Sequence, residues 1–97
     1  MKKDPIETYR AEAKQRLDIW SADISRLRAK AVLLESDARA DAVRHLAELE
    51  VLYADVFREY VAMQVNVNGR LEDLQRAFEQ AAEPLREALD QAERALV

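Results

Sequence analysis

His45 is the only imidazole in this chain of 97 residues. Asp41 lies four residues before it and Glu48 three after, so a helix would carry all three on one face. Carboxylates and histidine at that spacing hold metal ions inside helical bundles, where facing helices complete the ligand set. Two carboxylates and one His from a single helix fall short of such a set. A metal-binding helical protein centred on His45 is therefore the last of three readings, and no metal ligand is assigned.

Other chemistry has less to draw on. Thr8, Ser21, Ser25 and Ser36 have no second imidazole to serve as base. One glycine, Gly69, cannot build a glycine-rich phosphate loop. Carboxylates are abundant, so no one pair of them stands out as acid and base. The sequence predicts no enzyme, no catalytic residue and no cofactor.

The elements that would carry these residues are helices. Leu17, Trp20, Ile24, Leu27, Ala31 and Leu34 recur at gaps of three and four, which puts them on one stripe of an α-helix, the seam of a coiled coil. Asp4 before Pro5 marks the start, with Glu7 placed to reach back to the cap. About 60 residues then pass without Gly or Pro. Beyond Leu34 the stripe shifts by about four residues, to Ala42, Leu46, Leu49, Tyr53, Val56, Tyr60 and Met63. Within a continuous helix that shift is a stutter. The alternative is a turn near 35–38, with Ser36 or Asp37 as a new N-cap.

The strand-like alternation of 61–68 has no partner strand and reads as a fraying helix end. Asn66-Val67-Asn68-Gly69 is the best helix breaker. A last helix follows with the stripe Leu71, Leu74, Phe78, Ala81, Leu85, Ala88, Ala92 and Ala95, flanked by Leu89 and Leu96. Pro84 predicts a kink near Gln80–Glu83.

The predicted fold is all-α, a single helical domain over 1–97. It is an antiparallel helical hairpin or coiled coil with a long first helix over about 5–65, a break at about 66–69 and a helix over about 70–97. A three-helix bundle is the alternative. At about 1.5 Å per residue the long helix would reach roughly 90 Å and the short one roughly 42 Å. Much of the first would then need a partner chain.

The net charge is −4. Residues 1–36 carry +2 and residues 37–97 carry −6, so the basic first part could dock on the acidic remainder, within one chain or between chains. No Lys/Arg stripe dominates either part, which argues against nucleic acid. No apolar run spans a bilayer, the acidic balance of the last helix disfavours anionic membranes, and Met1-Lys2-Lys3-Asp4-Pro5 lacks the apolar stretch of a signal peptide. The absence of cysteine fits a reducing compartment, and the expected location is the cytoplasm.

Tyr9, Leu17-Asp18, Trp20, Ile24, Leu27 and Ala29-Lys30-Ala31 are similar to the opening of small bacterial coiled-coil stress-response proteins. In those a Leu-Asp-x-Trp segment leads into Ile-x-x-Leu and Ala-Lys-Ala. Glu72-Asp73-Leu74 and Leu85-Arg86-Glu87-Ala88-Leu89 resemble the family's C-terminal helix. The chain departs from it at Leu71 and Ala82, where the family tends to have Trp, and at Pro84. The resemblance implies a cytoplasmic, helical, non-catalytic protein linked to stress.

The expected function is a non-catalytic coiled-coil protein that self-associates, with a dimer favoured, and binds an unidentified protein partner. Its protein-interaction seam would be Leu17, Trp20, Ile24, Leu27, Leu34, Leu52, Val56 and Tyr60. An amphipathic protein coating lipid or storage granules is the second reading.

Overall fold

The structure, a computed structural model, describes residues 4–65 and 69–96. Three helices, α1 (Pro5–Ala31), α2 (Ser36–Val65) and α3 (Leu71–Ala95), make up the fold. It is all-α with the helices packed antiparallel. The continuous helix over 5–65 is not formed: residues 32–35 are a turn. The molecule measures 53 × 22 × 19 Å. That length suits segments of 25 to 30 residues at about 1.5 Å each, and excludes a rod of roughly 90 Å.

The turn contains neither Gly nor Pro. It closes with two tight bonds, in which the Leu33 and Leu34 N–H groups donate to the Lys30 and Ala31 carbonyls at 3.1 and 3.2 Å. These i→i−3 bonds wind up the end of α1. Arg39 then reaches back from α2, and its guanidinium donates to the Leu34 carbonyl at 2.9 Å, placing a cation at the negative end of α1. Glu35 accepts the first backbone bond of α2, from the Arg39 N–H at 2.7 Å. Ser36 and Asp37 are thus the first residues of α2 rather than its caps. The four-residue phase shift expected of a stutter is taken up by this turn, and the stripe on either side is kept.

Asp4 caps α1 as expected, its Oδ1 accepting from the Ile6 N–H at 2.9 Å. Gly69 is outside the helices, and none of the described residues takes a positive φ. The rest of the breaker, Asn66–Asn68, lies outside the described residues. Helix α2 persists to Val65, which rules out a strand over 61–65. Helix α3 continues through Pro84 without interruption.

The core is one cluster. Helix α1 supplies Tyr9, Ala13, Leu17, Trp20, Ile24, Leu27 and Ala31, α2 supplies Ala42, Leu46, Leu49, Val56 and Met63, and α3 is anchored by Phe78, Ala82, Leu85 and Ala92. The last stripe differs from the expected one. Ala82 and Leu89 are buried, while Ala95 is exposed.

Cross-helix contacts fix the directions. Arg10 donates to the Met63 carbonyl at 2.5 Å and Arg28 pairs with Glu50, so α2 descends as α1 ascends. Arg16 pairs with Glu79 and Arg26 with Glu93, so α3 ascends alongside α1. Each of these inter-helix ion pairs joins an arginine of α1 to an acid of α2 or α3. The charge asymmetry between the two parts of the sequence is matched within one chain. Within α3, Asp90 and Arg94 form an i,i+4 pair at 3.0 Å. Arg16 and Arg39 reach Glu79 and the turn rather than Glu12 and Glu35 four residues before them, and Arg76 faces Asp73 at 3.9 Å rather than Glu72.

Candidate interaction surface

The predicted seam is filled inside the chain. Leu17, Trp20, Ile24, Leu27 and Val56 are buried, and Leu34, Leu52 and Tyr60 pack against the core at its edge. A partner could reach the five buried residues only by opening the bundle.

Trp20 and Phe78 anchor the α1–α3 contact. Their rings stack with centroids 6.3 Å apart, and Tyr9 meets Phe78 edge-on at 6.0 Å. The Arg16 guanidinium lies 5.0 Å from the Trp20 ring centre and 5.1 Å from that of Phe78, within cation–π range. From there Arg16 forks onto both oxygens of Glu79, and the Tyr9 hydroxyl donates to the same carboxylate at 3.2 Å. The group is a structural clasp: a cation held between aromatic faces and an acid.

Its titration has a definite sign. Burial, reinforced by the Glu79 charge, pushes the Tyr9 phenol up to about 12 from its ordinary 10. The neutral phenol is the form the fold favours. The stability this represents is complete below pH 10 and is lost as pH rises through 12, at about 1.4 kcal/mol per unit. We expect roughly 2 kcal/mol to be lost between pH 10 and 12, with Tyr9→Phe removing most of that slope. Thermal unfolding of both proteins across that range checks it, and parallel slopes would refute it. Glu79 moves the other way: the Arg16 hydrogen bond holds its carboxyl below the usual range. Its contribution is present above the ordinary carboxylate pKa and is lost as pH falls through the lowered one. The carboxylate is 42% exposed, so this effect is small.

His45 lies half-buried beside a shallow groove between the start of α2 and the end of α3. Asp41 and Glu48 line the same groove, as the helical spacing predicts, but Arg44 holds the Asp41 carboxylate. Among the described residues, Ala95 at the end of α3 and Leu96 just beyond it line the other side. Among the described residues no group of three His, Cys, Asp or Glu side chains is arranged to hold a metal ion.

A different surface stands out. Val43, Val51, Phe57, Val61 and Val65 are exposed along α2. On α1 only Ile19 among the large apolar residues is comparably exposed, and on the described part of α3 none is; Val32 and Leu33 protrude at the turn. Phe57 is flanked by Tyr53 and Tyr60, with ring centres 6.3 and 6.2 Å away. The sequence signals this surface: Val43, Phe57, Val61 and Val65 are more apolar residues than one seam needs. They lie off the buried stripe of α2, with Phe57 on its flank beside Tyr53 and Tyr60 and Val51 farthest round the helix.

No helix among the described residues is long and apolar enough to cross a membrane. Comparison of the chain with protein-family models, with curated proteins and with solved structures gives no match in any of the three.

Proposed function

We propose that this chain is a non-catalytic interaction protein whose working surface is the outward face of α2. One observation carries the reading: five large apolar side chains lie exposed on that helix, while the outer faces of α1 and α3 are polar apart from Ile19. Soluble domains rarely expose apolar residues in a row unless something covers them. Phe57, backed by two tyrosines, has the character of an aromatic anchor for such a contact.

In this reading α1 and α3 form the support. They bury the remaining face of α2, and Arg28 of α1 pairs with Glu50 of α2. Binding to other proteins replaces the seam as the source of function, since the seam residues are committed to folding. A cytoplasmic setting fits a chain without cysteine. A link to stress rests solely on the resemblance of Leu17–Ala31 and the later segments to bacterial stress-response proteins.

A photo-crosslinking residue at Val61, with Gln91 on the exposed side of α3 as control, tests the surface. Crosslinks to a second polypeptide, of this or another sequence, are expected from Val61 and not from Gln91. Equal yields from both sites, or none from either, would refute the assignment.

A further inference from the structure

We infer that this chain has a second state, a dimer in which the 32–35 turn straightens into helix and each α1 docks on the α2–α3 pair of a second copy. This state does not use the outward face of α2, so it goes beyond the function proposed above.

The phase of the buried stripes matches a straight helix. From Ala31, the last buried residue of α1, to Ala42, the first of α2, is a step of eleven residues. Eleven residues make three turns of α-helix and about 20° more. In a straight helix the two stripes therefore lie on one side. Leu34 and Ala38 fall between them at steps of three and four, which completes the line. In the closed turn Leu34 is half-buried and Ala38 is exposed.

The turn holds little that straightening would lose. It contains neither Gly nor Pro, and Ala38, Ala40 and Ala42 beyond it favour helix. Val32 and Leu33 are 64% and 84% exposed, so no core is uncovered there. What goes is the pair of i→i−3 bonds from Leu33 and Leu34 and the Arg39 contact with the Leu34 carbonyl. A continuous helix supplies i→i−4 bonds over the same stretch. It also sets Glu35 and Arg39 at i,i+4 with the acid first.

The remaining contacts of α1 can be remade between chains. Helix α1 is tied to the other two by Arg16–Glu79, Arg26–Glu93 and Arg28–Glu50, and by Arg10 on the Met63 carbonyl. With α1 and α2 end to end, two copies running antiparallel set each α1 against the other's α2 in the direction found within one chain. The other's α3 then lies alongside, and the Trp20–Phe78 stack forms between copies. Closed and open forms differ chiefly at the hinge, which is the condition for exchanging an element between copies. Closure through a short linker acts as an effective concentration of about millimolar order. The dimer therefore gains on the monomer as total concentration approaches that range.

The full chain is refolded from denaturant at micromolar to millimolar concentration, and the dimer fraction is isolated by size exclusion. Small-angle scattering should show a particle of about 90 Å or longer, against 53 Å for the single chain. Ser36→Pro discriminates between the two states. Proline is accepted at the first position of α2 and not inside a helix. The variant should keep helicity and melting temperature as a monomer while its dimer weakens by at least about 100-fold. A second measurement does not depend on that variant. The chain has no cysteine, so Arg28→Cys and Glu50→Cys copies are made separately, refolded together and treated with a short bismaleimide. A covalent heterodimer is expected from the dimer fraction. A monomer at every concentration would overturn the inference. So would a dimer indifferent to Ser36→Pro, or one in which the two cysteine variants do not join. Crosslinking from Val61 reads the outward face of α2 independently, so the proposed function and the exchange of α1 fail separately.

Discussion

Phe78→Ala should lower the melting temperature by more than about 12 °C, and at physiological temperature it should leave a substantial fraction of the chain unfolded. Phe78 has no solvent exposure, and it is the residue on which α1 closes. Trp20 stacks on it, Tyr9 meets it edge-on and the Arg16 guanidinium lies over it. Truncating a buried Phe costs about 3–5 kcal/mol, part of it transfer and part the cavity left behind. A domain of this length holds roughly 5–15 kcal/mol in all, and each kcal/mol moves its midpoint by about 4–8 °C. The loss also strips one aromatic face from Arg16, leaving a half-buried cation with Glu79 and Trp20 alone. Phe78→Leu, which keeps most of the volume, should cost much less. Calorimetry or thermal circular dichroism of both variants decides it. Similar small shifts in the two would show that the α1–α3 contact does not depend on this ring.

Pro84→Ala should act in the opposite direction and raise the midpoint by about 5–15 °C. Pro84 sits inside α3, which continues on both sides of it. Its ring crowds the preceding turn and it has no N–H to donate, a cost of about 3 kcal/mol in an unrelaxed helix. Its own position is exposed, while Ala82 and Leu85 beside it are fully buried. Alanine would restore the missing backbone bond without touching the core, and a recovery of about 1–3 kcal/mol is expected after allowing for the helix having adapted to the ring. A lowered midpoint would show that the packing of α3 requires the geometry proline imposes. The same substitution also provides a stabilised background in which Phe78→Ala can be measured if that variant alone does not fold.

The periodic residues were legible in advance. Leu17, Trp20, Ile24 and Leu27 are buried where their gaps of three and four place them, and so are Ala42, Leu46, Leu49, Val56 and Met63 after the phase shift. Asp4 caps α1 as its type predicts. The turn at 32–35 was harder to read. Ala38, Ala40 and Ala42 are strong helix formers, and no glycine or proline interrupts them. The turn is held by backbone bonds and by Arg39 reaching across it, so the phase shift and Ser36 or Asp37 pointed to it without deciding between a turn and a stutter. The α3 stripe was misplaced at Ala95 and Ala82 because alanine is permissive in a helix: it marks neither face, and its burial follows from what the neighbouring helices bring to it.

For the surface, the excess of apolar residues in 43–65 was visible as composition. Spacing also sets Val43, Phe57, Val61 and Val65 off the stripe that holds Val56, but not whether a second helix covers them, since a flanking apolar side chain can pack on a neighbour or face solvent.

The sequence by itself determined helix and helix faces, because side-chain spacing along a helix is a local property that needs no partner to be read. It also determined that His45 is the one imidazole of the chain. Tertiary structure alone decided that the phase shift is a turn, that the leucine seam closes within one chain, and that α2 keeps an apolar face uncovered. Those outcomes depend on which of several similar stripes meet. That choice is made by summed burial and by arginine–acid pairs across three helices, a competition between distant segments that no window of sequence contains.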